Sequence, residues 1–405
     1  MTGSDGGVQT GRPEPFTIAV PDSDLADLHQ RLERTRWPDP ATGPAWDQGT
    51  DDGFLRSLVA RWRQDYDWRA HEAEFNRLPQ FRVELGGRRV HYQHVPGVGP
   101  NPLPVLLSHG AFSNVHEFHH VVPRLTDPGR YGGDPADAVD VVAWSLPGFG
   151  WSDPPRHGTN LAVLADLAHT LMTDVLGYSR FAAAGGSWGG LITSLLGLRF
   201  PDSMIGLYLT QANPPSDPRG PGRSEADLSP AERQLVAETA EFVRREGGYQ
   251  RLLSTRPQSL AFAVADSPAG LAGWFADKLR LWSDCDGELG SGGYSLEDLL
   301  TMLSITWFSG TIAAGQRLYW ESARHDPGLR GSYIDVPTAV LALPHGMPNE
   351  RTPAETIRRS FDLRHYVEAP AGGHYPGFDI PEFFAADMLT FFRTLRGLPQ
   401  IAAST

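Results

Sequence analysis

The stretch that most constrains the fold is FAAAGGSWGGLITSLLGL, residues 181–198, in which a serine between glycine pairs separates two apolar runs. Gly185, Ser187 and Gly189 satisfy the pattern GxSxG where a strand is predicted to turn into a helix. Glycines are needed there because larger neighbours of a nucleophile in a strained turn would collide with the strand and the helix. We therefore predict that Ser187 is a nucleophile and not a packing residue.

Composition excludes several classes of protein. The 405 residues are 40% hydrophobic, which is enough apolar material for a large core and a ligand cavity. A formal net charge of −13 would repel a nucleic-acid backbone, so no nucleic-acid partner is expected. The single cysteine, Cys285, excludes an intramolecular disulfide and a multi-cysteine metal site. The first residues carry no basic and apolar signal pattern, and no run suits a membrane helix, so we expect a cytoplasmic protein without a membrane span.

The order of predicted elements indicates an α/β fold with an inserted lid. Unbroken apolar runs such as PLPVLLSHG and AVDVVAWSLPG are typical of strands buried on both faces of a parallel sheet. We predict a flexible leader at residues 1–15, a helical N-terminal extension at residues 16–80 and a core in two parts, residues 81–213 and 327–405. Between the two parts of the core, residues 214–326 are predicted to form an aromatic-rich helical lid over the carboxyl edge of the sheet.

Two further segments complete a candidate catalytic site. LLSHGAFSN predicts a buried strand ending at His109, after which the backbone N–H groups of Ala111 and Trp188 can form an oxyanion hole. His374 follows two glycines near the C-terminus, where a general base is expected after the last strand. His109 itself is predicted to be structural.

A group of histidines nearby suggests a metal, but the spacing argues against one. His116, His119 and His120 lie close together without a carboxylate three or four residues away that would close a ligand set. We predict neither a metal nor any other cofactor.

Taken together, these motifs resemble the α/β-hydrolase fold and specifically the microsomal-type epoxide hydrolases, which carry an N-terminal extension. The segments that carry the resemblance are FTIAVPDSDLADLHQRLERTRWPD, DYDWRAHEAEFNRLPQF, WSLPGFGWSDPP, STRPQSLAFAVADSPAGLAGW and GGHYPGFDIPEFF, so it covers nearly the whole chain. It implies a small-molecule substrate and a possible homodimer. It also implies that Tyr249 and Tyr319 are the lid tyrosines that hold the substrate oxygen.

Three departures from that family pattern matter. Ser187 stands where the family has an aspartate, and Ala111 and Phe112 stand where it has an aromatic residue and proline; Phe112 is expected to contact substrate. Gly346 occupies the position expected for the family's acid. The nearest carboxylate able to orient His374 is Glu350, and Asp335 and Asn213 are weaker candidates.

The serine changes the chemistry that is available. An aspartate that opens an epoxide forms an ester, which water can cleave, whereas a serine would form an ether, which it cannot. We therefore expect a serine hydrolase that acts on an ester, a lactone or a related acyl bond of a bulky apolar molecule. One alternative is non-covalent epoxide opening or cyclisation by Tyr249, Tyr319 and His374. Another is a ligand-binding pseudoenzyme.

Overall fold

The computed structural model describes residues 8–212 and 223–397. Within these ranges nine strands form one sheet in the order β1-β2-β3-β5-β4-β6-β7-β8-β9, parallel from β5 onward and antiparallel at the β1 edge. The strands are β1 Glu14–Pro15, β2 Gln80–Leu85, β3 Arg88–Val95, β4 Leu103–Ser108, β5 Val139–Trp144, β6 Phe181–Gly185, β7 Met204–Leu209, β8 Ile334–Ala342 and β9 Phe361–Glu368.

Helices cover both faces of this sheet and one of its edges. In the described residues they are α1 Asp22–Glu33, α2 Asp52–Gln64, α3 Trp68–Phe75, α4 Val122–Thr126, α5 Leu161–Thr170, α6 Ser187–Arg199, α7 Pro230–Glu246, α8 Gly248–Thr255, α9 Pro257–Asp266, α10 Pro268–Trp282, α11 Leu296–Ser309, α12 Ile312–Ser322, α13 Ala354–Ile357, α14 Pro376–Asp379 and α15 Pro381–Leu395. None of the helices in the described part of the chain is long and apolar enough to cross a membrane.

The central strands are buried on both faces, which explains their unbroken apolar sequence. In β4, Leu106 packs in the cluster that includes α5 and α6, whereas Val105 and Leu107 pack in the cluster on the opposite face with α15. This alternation follows from the two-residue repeat of a strand. The mostly parallel sheet is the one that the sequence predicted.

The predicted lid and extension are both helical and touch one another. Helices α7 to α12 lie between β7 and β8 in the chain, and the described part of the lid, from residue 223, contains no strand. Trp62 of α2 donates from Nε1 to Ser304 Oγ of α11 at 2.9 Å, and Tyr66 donates to Thr301 Oγ1 at 3.0 Å. The extension therefore holds the lid by buried polar contacts as well as by packing.

Part of the predicted flexible leader, residues 1–15, pairs with the edge of the sheet. Glu14 and Pro15 pair with β2, and the Gly11 N–H donates to the Glu84 carbonyl at 2.8 Å. The physical reason is that the outer edge of β2 carries unpaired backbone groups, which an extended segment can satisfy. Residues 1–7 lie outside the described residues.

Candidate active site

Ser187 lies at the first residue of α6, directly after β6, in the left-handed backbone region with φ +51°. Two nearby positions, Gly186 and Gly189, are glycines because there is no room for side chains there. A Cβ at Gly186 would lie 2.2 Å from Thr210 Oγ1, and one at Gly189 would lie 1.8 Å from the Ser108 carbonyl oxygen. The strained turn exposes Ser187 at the carboxyl edge of the sheet, as the sequence predicted.

The loop that follows β4 approaches the elbow closely. A Cβ at Gly110 would lie 2.7 Å from the Ser187 Cβ, so any larger residue would push the two loops apart. The next residue, Ala111, and Trp188 line one cavity together with Ser187. The Trp188 N–H belongs to the first turn of α6, where backbone donors have no partner within the helix. The two residues that carry the predicted oxyanion donors thus line the cavity of the predicted nucleophile.

His109 is held as a structural residue. Its Nδ1 lies 2.9 Å from the Gly110 carbonyl oxygen, and its Nε2 accepts from the Leu146 N–H at 3.2 Å. Burial lowers the pKa of His109 to about 4. The ring is therefore neutral and supports the loop without facing substrate.

Glu350 contacts His374 directly. His374 lies in the loop after β9, and its Nδ1 forms a hydrogen bond with Glu350 Oε1 inside the protein. The second carboxylate oxygen of Glu350 accepts from the Met347 N–H at 2.6 Å, and the residue is 2% exposed. Burial opposes the charged form of His374, but the adjacent Glu350 carboxylate outweighs it and raises the pKa of the imidazole.

Space for the Glu350 carboxylate is provided by a glycine. A Cβ at Gly346 would lie 1.5 Å from Glu350 Oε2, so a side chain at position 346 and this placement of Glu350 exclude one another. Asp335 is exposed at the start of β8, at the end of that strand remote from His374, and is not the acid. Asn213 lies outside the described residues.

Ser187 and His374 face a cavity of about 490 Å³ beneath the lid. Tyr249 of α8 and Tyr319 of α12 line the same cavity, with their ring centroids 6.1 Å apart. Burial raises the pKa of both phenols, which therefore stay protonated and able to donate. Phe112 lies beside this cavity, against Tyr249, and lines a smaller adjoining lobe.

The histidines after β4 pair with carboxylates that are distant in sequence. His116 and His120 each place Nε2 3.1 Å from Asp298 Oδ1 of α11, and His119 Nε2 lies 3.2 Å from Glu74 Oε1. Among residues 8–212 and 223–397, no three His, Cys, Asp or Glu side chains are grouped as metal ligands.

Two buried groups near the site were not found by sequence reasoning. Glu117 accepts from Ser113 Oγ at 2.6 Å, and burial raises the pKa of its carboxyl to about 7. Gln316 is buried in the adjoining lobe with Tyr319. Helical patterning could have placed Gln316 on the same face as Tyr319, three residues later, but not the surroundings of either side chain.

Comparisons with known proteins agree with this arrangement. Residues 104–265 match the family described as alpha/beta hydrolase fold, and residues 13–118 match the one described as epoxide hydrolase N terminus. A "Putative epoxide hydrolase" of Stigmatella aurantiaca is 38% identical over 94% of this chain and 85% of its own length. "Epoxide hydrolase 1" of Oryctolagus cuniculus is 30% identical over 95% of this chain and 90% of its own length.

Solved structures give the same result. The juvenile hormone epoxide hydrolase of the silkworm Bombyx mori superposes with a TM-score of 0.85 at 26% identity, covering 96% of this chain and 95% of its own. The Aspergillus niger epoxide hydrolase gives a TM-score of 0.82 at 25% identity, over 95% and 96% of the two chains. Fold and site thus define an α/β-hydrolase. Within that class the chain belongs to the epoxide hydrolase family and is an enzyme of the hydrolase type.

Proposed function

We propose that this enzyme hydrolyses an ester, a lactone or a related acyl bond of a bulky apolar small molecule, with Ser187 as nucleophile. The observation that carries the proposal is that Ser187 and His374 line one cavity while Glu350 contacts His374 from behind. A complete set of nucleophile, base and acid also argues against a ligand-binding pseudoenzyme.

The reaction follows from these positions. His374 takes the proton of Ser187 as Oγ attacks the carbonyl carbon, and the backbone N–H groups of Ala111 and Trp188 stabilise the oxyanion. The tetrahedral intermediate expels the alcohol, which takes the proton from His374, and leaves an acyl-enzyme. Water, deprotonated by His374, then attacks the acyl carbon. The second tetrahedral intermediate expels Ser187 Oγ, which regains its proton from His374, and the acid is released. Glu350 orients the imidazole and stabilises its charged form throughout.

The relatives are named as epoxide hydrolases, and their chemistry fits a serine poorly. Attack of Ser187 on an epoxide carbon would give an ether, and the imidazole–water pair of this site has no means to cleave one. Attack on a carbonyl carbon gives an ester, which the same pair can hydrolyse.

The test is covalent labelling with a fluorophosphonate probe, read by intact mass, together with turnover of a panel of esters and lactones. Wild type is expected to gain one probe adduct and Ser187→Ala none. Ser194→Ala is the matched control, because Ser194 lies in the same helix but donates to the Gly190 carbonyl at 2.8 Å inside the core. Absence of labelling and of turnover in the wild type would refute the proposal.

A second candidate is non-covalent epoxide opening or cyclisation. It is favoured by Tyr249 and Tyr319, whose phenols face the cavity and can donate to an epoxide oxygen while His374 activates water or a substrate hydroxyl. With a panel of epoxides, this candidate requires Ser187→Ala to retain turnover and Tyr249→Phe or Tyr319→Phe to lose it. The opposite ranking would exclude it.

The oligomeric state is proposed separately. Family resemblance favours a homodimer, and light scattering with size-exclusion chromatography would distinguish a dimer from a monomer.

A further inference from the structure

The cavity beneath the lid has a second lobe, on the far side of Ala111 and Tyr319 from the nucleophile. These two residues line both spaces, so the lobe adjoins the cavity that contains Ser187 and His374. Its volume is about 30 Å³. That is room for about two or three water-sized groups, since a space of ~10–15 Å³ on this measure already holds a water molecule.

Gln316 is a buried polar residue in this lobe without a protein partner. Its side chain is 4% exposed, and neither its amide nitrogen nor its amide oxygen finds a hydrogen-bond partner in the protein. The indole Nε1 of Trp274, which lines the same lobe, is also buried without a partner. Such groups are rare in folded proteins because each forfeits its hydrogen bonds to water.

The other polar groups of the lobe are already satisfied. Thr306 Oγ1 donates to the Met302 carbonyl at 2.9 Å, Thr311 Oγ1 lies 2.8 Å from Ser309 Oγ, and Ser113 donates to Glu117. Gln316 and Trp274 are the side chains of the lobe whose buried polar atoms have no partner in the described protein. Among the described residues, none with a formal charge lines the lobe.

We propose that this lobe binds a neutral polar group of the substrate that both accepts and donates a hydrogen bond, a hydroxyl or a carboxamide. The Gln316 and Trp274 N–H groups would donate to its oxygen, and the Gln316 carbonyl oxygen would accept its hydrogen. The aromatic and aliphatic walls, among them Phe112, Phe149 and Leu253, would surround this group, and the apolar chain that carries it would lie in the larger cavity. The inference rests on the proposed function of the same site and adds the substrate class: an acyl compound with a remote hydroxyl or amide.

Gln316 is then a specificity-determining residue. A site built to hydrogen-bond a substrate group discriminates strongly against an analogue that lacks it, because the buried partners are left unpaired. A hydrocarbon pocket of the same shape would show the opposite preference.

The experiment compares p-nitrophenyl esters of unbranched acids, from butanoate to octanoate, with and without a terminal hydroxyl or carboxamide. For the chain length that reaches the lobe, wild type is expected to prefer the polar ester about 10- to 100-fold in kcat/KM, as one unsatisfied buried polar group would cost. Gln316→Leu should reduce that preference to near one, largely by improving the unsubstituted ester. Gln234→Leu, the same change at an exposed lid position, should leave the preference unchanged.

Trp274→Phe is a second variant, in case Gln316→Leu does not fold. It keeps an aromatic ring at position 274, where the Trp274 and Phe112 ring centroids lie 5.8 Å apart, and it removes the indole N–H. A partial loss of preference is expected. Retention of the full preference in both variants would overturn the assignment.

A binding measurement separates this inference from the proposed function. Calorimetric titration of Ser187→Ala with the corresponding free alkyl amides, with and without the terminal hydroxyl, needs no turnover. A lower Kd for the hydroxylated ligand, lost in Ser187→Ala,Gln316→Leu, supports the lobe even if no ester is hydrolysed. Equal Kd values, with ester turnover present, would mean that the lobe takes only water and would overturn the inference alone.

Discussion

Glu350 reaches His374 from the short 3-10 helix Pro348–Arg351, and the Met347 N–H fixes its second oxygen. In the proposed reaction the ring of His374 must become charged beside the buried Glu350 carboxylate. Because Glu350 stabilises the imidazolium, it sets both the orientation and the basicity of His374.

Glu350→Gln tests this role through the pH profile. His374 must be neutral to accept the Ser187 proton, so kcat/KM should rise as pH passes through the raised pKa of His374. Removing the charge should lower that pKa, move the acid limb of the pH profile to lower pH and reduce the plateau of kcat/KM by about 10³- to 10⁴-fold.

Asp335→Asn, at an exposed strand end, is the control for Glu350→Gln. Gly346→Asp introduced into Glu350→Ala should restore part of the rate, and an unmoved acid limb in Glu350→Gln would contradict the assignment.

Glu117 makes a different prediction, about stability. Burial raises the pKa of its carboxyl from the ordinary 4.5 to about 7, so the folded state holds this proton more tightly than the unfolded chain. The stabilisation is fully present below pH 4.5 and is lost as pH rises through 7. Relative to Glu117→Gln, which cannot ionise, wild type should lose on the order of 3 kcal/mol of unfolding free energy across this window. Denaturant titrations at several pH values measure it, and parallel pH curves for the two proteins would refute it.

At the scale of elements, the contact of α2 and α3 with the lid is the feature that distinguishes this chain from a bare α/β core. Trp62 and Ser304 are both buried, and Trp68 packs against Phe308 of α11 with ring centroids 5.0 Å apart. On this side the lid is therefore held to the N-terminal extension by packing and by a buried hydrogen bond.

Trp62→Phe should weaken the contact between the N-terminal extension and the lid. It keeps an aromatic ring but leaves the buried Ser304 hydroxyl without its donor, at a cost of about 1–2 kcal/mol beyond lost packing. Arg31→Ala, which breaks the exposed ion pair with Asp266, should cost only about 0–1 kcal/mol. Urea unfolding and limited proteolysis of the lid give the two readouts. Equal effects of the two changes would show that the buried bond does not anchor the lid.

At the scale of the whole molecule, extension, core and lid share one hydrophobic cluster. It includes Leu28 and Trp62 from the extension, Ile192 from α6, and Leu253 and Leu300 from the lid. A continuous cluster of this kind couples the unfolding of its parts.

We expect the three parts to unfold together. Far-UV circular dichroism, which reports helix content, and near-UV dichroism of the tryptophans should give coincident denaturant transitions. In Trp62→Phe the lid should begin to separate from the core. An earlier, separate lid transition in the wild type would contradict shared packing.

The sequence predicted what local pattern and chain order control. Apolar runs located the parallel strands, and the glycines around Ser187 located the elbow. Glu350 could be chosen because it lies close in sequence to the expected acid position. Three features could not be predicted, since each depends on elements brought together from distant parts of the chain. They are the pairing of Thr10–Pro15 with the outer edge of β2, the approach of Asp298 to His116, and the surroundings of Gln316.

The mutual exclusion between a side chain at position 346 and the carboxylate of Glu350 also limits the order in which such a site can arise by mutation. A lineage that moved its acid from position 346 to position 350 could not have passed through a chain bearing both side chains in these places. Glu350 could take its present place only after, or at the same step as, the loss of the side chain at position 346. An ancestor that lost the side chain at position 346 first would have folded with His374 lacking a carboxylate partner. It would have been a slow catalyst, and selection could then have favoured a new acid.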